Sequence, residues 1–215
     1  RNAAIFAWWF SVMKRRSLIA GLAMPFCRSA LAAAKTPTQR LVDAAEGQIG
    51  VTVLYDPSYA VLSYPGGDVP PDRGVCTDVV IRAYRRGLGL DLQRLVHEDM
   101  LAHFSAYPGA WGLSRPDANI DHRRVPNLQT FFARHGARRN VPDDLSGFQP
   151  GELVTMMLPG NLPHIGIISD TLSQNSNRRM VVHNIGGGAA RDDLLGQYRI
   201  TGRYLYFPHS GMRRA

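Results

Sequence analysis

The hydrophobic period of this chain changes at Pro150-Gly151, and that change narrows the folds open to it. Upstream, apolar residues recur at helical spacing. Leu41, Ala44, Ala45 and Ile49 predict a helix over Thr36 to Gly50, with Gly50 as its stop. Val79, Val80, Ala83 and Tyr84 form the stripe of a helix that opens at Cys76, reaches Arg86 and is ended by Gly87. Leu92 to Phe104 supplies another. Asn127 to His135 is a shorter one, with Leu128, Phe131 and Phe132 inward and Gly136 just past its end. Between these lie a Gly/Pro-rich loop, Tyr55 to Arg73, and an irregular polar loop, Tyr107 to Pro126. Downstream, the pattern is that of strands: Glu152 to Leu158, His164 to Asp170, Arg179 to Ile185 and Gly202 to Phe207, the first two joined by a Pro159-Gly160-Asn161 turn. Helices followed by an antiparallel sheet predict an α+β domain.

The first 34 residues read differently. Lys14, Arg15 and Arg16 follow Met13, Ser17 to Phe26 is apolar, and Ala30 to Ala34 are small. This is the pattern of an export signal cleaved near Ala32 to Ala34, with Met13 as the initiator and residues 1–12 as an extension. The apolar run, at about ten residues, is too short to cross a bilayer. Cys27 follows Met24-Pro25-Phe26 rather than small residues, which argues against lipid attachment. The predicted organisation is a leader over 1–34 and a single domain over 35–215, periplasmic or secreted, with no stable membrane anchor. The formal charge of +8 falls to about +3 once the leader's five cations are removed. No basic stripe with interleaved aromatics is present, so a nucleic-acid partner is not expected.

Without the leader, Cys76 is the sole cysteine and has no disulfide partner within the domain. Its place at a predicted helix start favours thiolate through the helix dipole. A buried apolar cysteine is the other reading. Two histidines fall on predicted neighbouring strands. With Asp170 paired to Arg179, His164 lies opposite Ile185, and His183 is diagonal to it on the same face. A two-residue slip puts the histidines directly opposite, and in either register they are within about 5–8 Å. Should the Cys76 helix pack on that face, all three converge. Thiol catalysis needs that arrangement: one imidazole takes the thiol proton and a further polar group fixes the imidazole's orientation. Asn184 is chemically able to orient a histidine but alternates to the opposite face. The same three residues also form a possible zinc ligand set, against which the helix-start position argues.

The order of these elements resembles a known family: a Gly-Gly loop, a cysteine at a helix start, Pro150-Gly151-Glu152-Leu153-Val154, His164-Ile165-Gly166-Ile167, then a His-bearing strand. It is similar to the NlpC-type cell-wall cysteine peptidases, a branch of the papain-like fold, over roughly Thr52 to Tyr206. Within that superfamily the chain looks closest to an uncharacterised bacterial secreted family. That likeness rests on Gly74-Val75-Cys76-Thr77-Asp78, Asn119 to Leu128 and His183-Asn184-Ile185-Gly186-Gly187-Gly188. The resemblance implies Cys76 as nucleophile, His164 as base, His183 as orienting residue, and amide bonds of peptidoglycan stem peptides as substrate; neither a cofactor nor a metal is expected. The family's usual Asp before the cysteine and Ser-Gly after it are replaced by Val75, Thr77 and Asp78, so the substrate-facing part of the site is expected to differ. A non-catalytic wall-binding module of the same fold, or a hydrolase of another amide, are the alternatives.

Candidate substrate-binding residues lie around this core. Asp121, His122, Arg123 and Arg124 form either a specificity loop for carboxylates or a self-satisfied structural loop, with Asp78 able to pair with one of the arginines. The Asp117 to Asp121 stretch is not an EF-hand, because His122 and Leu128 stand where glycine and glutamate are required. Tyr64, beside Gly66-Gly67, and Asn184 are further candidates for the cleft. Trp111 is either a substrate platform or a loop anchor.

Overall fold

A computed structural model describes residues 34–207. The predicted leader, its cleavage region up to Ala33 and Cys27 lie outside the described residues. Among the described residues the fold is mixed α+β, with four α-helices and a six-stranded antiparallel sheet.

Helix α1 spans Pro37–Glu46. Thr36 caps it reciprocally with Gln39, and Pro37 occupies the first turn, where a missing N–H costs nothing. The predicted helix runs on to Gly50, but the chain unwinds at Gly47 into tighter turns in which Gln48, Ile49 and Val51 each bond the carbonyl three residues back. Gln48 then reaches across to the Val79 carbonyl at 2.9 Å. Helix α2 spans Cys76–Leu88 and ends at Gly89, which is left-handed at φ 67°. Gly87, predicted as the stop, stays helical and serves packing instead: a Cβ there would meet the Arg40 carbonyl oxygen at 2.6 Å, so α1 and α2 touch backbone to backbone. Helices α3, Leu92–His103, and α4, Val125–Arg134, complete the layer.

The strands are β1 Leu54–Tyr55, β2 Arg73–Gly74, β3 Arg138–Arg139, β4 Leu153–Leu158, β5 Leu162–Leu172, β6 Arg179–His183, β7 Ala190–Asp192 and β8 Arg199–Tyr204. β1 and β2 form a short parallel pair, and the large sheet runs β3-β8-β4-β5-β6-β7. Ile167 pairs with Val182 and Ile168 with Val181, the register that the first pairing scheme above requires. A bulge then shifts the ladder, so Arg179 faces Leu172 rather than Asp170. β6 stops at His183, two residues short of its predicted end, because Asn184 turns aside to bond the Gly74 carbonyl at 2.9 Å. β3, β7 and the β1–β2 pair have two or three residues each, too short for a periodic signal.

Both faces of the sheet are covered. Ile165, Ile167, Leu153 and Val182 pack under the helices with Val79, Val80, Tyr84, Phe131 and Phe132. Ile168, Val181, Val154 and Met156 point the other way, against Phe148, Leu194 and Leu195. Each such fully buried side chain contributes about 1.5–3 kcal/mol. Alternation along β5 and β6 therefore puts His164 and His183 on the face away from the helices. Packing of the Cys76 helix on the histidine face is thus not what forms.

Candidate active site

The loop that delivers Cys76 is held by buried ions. Arg82, only 1% exposed, donates to Asp68 at 2.8 and 3.0 Å and to the carbonyls of Val69, Pro70 and Arg73. A Gly/Pro-rich segment with little secondary structure thereby gets its backbone acceptors satisfied from one guanidinium. Asp78, one turn into α2, accepts the Val75 N–H at 2.7 Å and takes a bidentate bond from Arg123, 3.0 Å at each nitrogen. The cap of α2 is thus supplied from inside the helix, since Val75 has no side-chain acceptor.

Cys76 meets the sheet at the start of β5. The Ile168 N–H points to the β4 side, bonding Glu152, so by alternation the Ile165 N–H points to the β6 side. β6 has already ended there, and the Ile165 N–H is left beside Cys76, whose pKa it helps to lower. The thiol therefore reaches the sheet in the gap beside β5, one residue from His164. Burial pushes it up to about 11, against the opposing N–H groups of Ile165, Thr77 and Cys76 itself, while the Asp78 charge adds to the rise. The helix start favours thiolate, as the sequence predicts, but desolvation outweighs it.

The His164 and His183 rings meet edge to face with centroids 5.2 Å apart. His164 Nε2 and His183 Nδ1 are both buried without a hydrogen-bond partner. Burial pushes His164 down to about 3, with the neighbouring His183 adding to it. His183 is also lowered by burial, opposed by Asp192, whose carboxylate lies 3.0 Å from His183 Nε2. Asp192 is a member of this group that sequence reasoning missed. Its signal was weak, because β7 has only three residues, although Asp192 shares a face with His183 across the β6–β7 pair. The structure thus assembles His164, His183 and Asp192 and brings Cys76 to the adjoining backbone. No hydrogen bond joins His183 to Cys76, since its one bonded nitrogen faces Asp192.

Cys76 lines a cavity of about 210 Å3 together with Tyr55, Val75, Trp111, Arg124 and Pro163. Arg124 lies over the Trp111 ring, 4.3 Å from its centroid. Arg123 also borders the cavity, but its guanidinium is spent on Asp78 and on the Ser58 and Asp56 carbonyls. Asp121 and His122 are buried. Asp121 holds His97 Nδ1 and the Asp117 N–H, both at 2.8 Å, and burial pushes the His122 imidazole down to about 3. Tyr64 stands apart from this cavity, edge-on to His97 at 5.1 Å. Asn184 is fully buried and pins the end of β6 to Gly74. Among the described residues no group of three His, Cys, Asp or Glu side chains is arranged to hold a metal ion.

The class defined by these elements is an α+β domain that sets a helix-start thiol beside a sheet carrying two imidazoles in edge-to-face contact. The chain belongs to the family described as "Domain of unknown function (DUF1287)", whose pattern matches residues 42–206. It is similar to the "Uncharacterized protein YijF" of Escherichia coli (strain K12), 52% identical over 167 residues that cover 78% of this chain and 80% of the relative.

Proposed function

We propose that this protein is a cysteine hydrolase of amide bonds, with a papain-like, NlpC-type arrangement and peptidoglycan stem peptides as its substrate class, acting in the periplasm or outside the cell. The reading is supported by one observation: Cys76 packs with Ile165, the residue after His164 on β5, and the His164–His183 ring pair leaves His164 Nε2 and His183 Nδ1 buried without a partner. Buried polar atoms left unpaired cost about 1–3 kcal/mol each, which a bound substrate or proton partner would offset.

In this scheme the resting thiol and imidazole are both neutral, as their opposite shifts favour. His164 takes the Cys76 proton as the sulfur attacks the amide carbonyl. Collapse of the tetrahedral intermediate forms a thioester and expels the amine, which leaves with that proton. Water, deprotonated by His164, then releases the acid and restores the thiol. His183 orients His164, and Asp192 fixes the tautomer of His183.

The test is incubation of purified peptidoglycan with the protein and with Cys76→Ala and His164→Ala variants, reading fragments by mass spectrometry. Loss of turnover in both variants with the fold intact supports the scheme, and full activity in either one sinks it. The burial of Cys76, 5% exposed, favours a second reading, a wall-binding module that keeps the fold without the chemistry. Retention of binding to peptidoglycan with no fragments from any form would select it.

A further inference from the structure

The cavity beside Cys76 is bordered mainly by apolar groups, among them Val75, Ile120, Val125 and Pro126. Two cations border it as well, Arg123 and Arg124. Their bonding separates them. Arg123 is saturated by Asp78 and two carbonyls. Arg124 rests on Trp111, and its Nη1 is buried with no hydrogen-bond partner. The nearby carboxylates do not bond it: Asp117 is taken by Tyr59 and the Asn119 N–H, Asp121 Oδ2 by His97 and the Asp117 N–H, and Asp121 Oδ1, though buried and unpartnered, makes no bond to Arg124. Burial lowers Arg124 from its ordinary value, opposed by the charges of Asp121 and Asp117. A guanidinium donor that is desolvated and unpaired is completed by an anion, for which the planar match is a carboxylate.

We infer that Arg124, held on the Trp111 ring, selects ligands that place a carboxylate in the Cys76 cavity. This deepens the hydrolase reading and rests on its assignment of Cys76 as the reacting group. The cavity, at about 210 Å3, is the size for one side-chain-sized group rather than a long peptide. The substrate class is therefore an amide that carries a carboxylate close to the bond Cys76 attacks.

Two thiol reagents of matched size isolate this effect from turnover. Iodoacetate and iodoacetamide both alkylate a thiolate with loss of iodide and differ in carrying a carboxylate or a carboxamide. The rate ratio of iodoacetate to iodoacetamide at Cys76, divided by the ratio for glutathione, is measured for the unmodified protein and for Arg124→Gln and Arg124→Lys. One charge-assisted contact predicts a ratio about tenfold above glutathione. It should fall to the glutathione value in Arg124→Gln and be partly kept in Arg124→Lys, all three melting alike. A ratio at the glutathione value in the unmodified protein, a ratio indifferent to Arg124→Gln, or a native thiol that neither reagent reaches would each overturn the inference. A raised ratio in a protein that cuts no peptidoglycan leaves the anion site standing and removes the hydrolase reading, so the two fail separately.

Discussion

Asp78 and Arg123 form a bidentate ion pair in which both side chains are under one-twentieth exposed. The pair joins the first turn of α2 to the 3-10 turn Asp121–Arg123, and Thr77 adds a bond to the Arg123 carbonyl at 3.2 Å. It fixes the approach of the chain to Cys76 from two directions. Asp78→Asn leaves Arg123 uncompensated and weakens the Val75 cap. The expected loss is about 3–5 kcal/mol in denaturant unfolding, since breaking a buried pair strands the other charge. A loss below about 1 kcal/mol, typical of an exposed pair, would contradict this account.

The Cys76 thiol should titrate late. With its value pushed up to about 11, roughly one molecule in ten thousand is thiolate at pH 7. The alkylation rate with iodoacetamide should keep rising from pH 7 to pH 10 with no plateau near neutrality. A plateau at or below pH 8 would show that the helix start, or an imidazole, prevails over burial.

Acid should unfold this domain through its buried histidines. His122 and His164 are both pushed down to about 3, from an ordinary 6.5. Below pH 6.5 the unfolded chain binds protons that the folded chain refuses. Their contribution is therefore complete above pH 6.5 and is lost as pH falls toward 3. Each contributes a slope of at most about 1.4 kcal/mol per pH unit in that window. Unfolding measured from pH 7.5 to 4 should show the decline. His122→Gln should flatten it, whereas an unchanged slope would place the sensitivity elsewhere.

Gly166 keeps β5 and β6 close beside the histidine pair. A Cβ there would strike Val181 Cγ1, approach the Val182 carbonyl oxygen at 2.9 Å and lie 3.3 Å from His183 Cβ. Gly166→Ala should cost about 1–3 kcal/mol by overpacking and shift the His164 and His183 ring resonances in NMR spectra. Unmoved resonances would mean that the rings are not held by this strand contact.

Much of the site was legible because it rests on short-range rules. Cys76 stands at a helix start because a Gly/Pro-rich segment ends there and Val79, Val80, Ala83 and Tyr84 recur at helical spacing. His164 and His183 share a face because strand alternation and a short connection leave few registers. Asp192 was not legible, since a three-residue strand carries no periodic signal and its pairing is set by β6. The roles of the arginines were also hidden. Nothing in Asp121-His122-Arg123-Arg124 tells which guanidinium is spent on Asp78, 45 residues away, and which remains open.

The sequence by itself determined the order of helices and strands, the helix-start thiol and the pairing of the two histidines, because hydrophobic period, turn residues and strand alternation act locally. Only the tertiary structure decided which face of the sheet the helices cover, and hence that Cys76 packs beside Ile165 on the helix face rather than on the histidine face. It also decided the ionisation of the site. Burial is a property of the assembled core, and here desolvation raises the thiol and lowers the imidazole against what either residue shows in water.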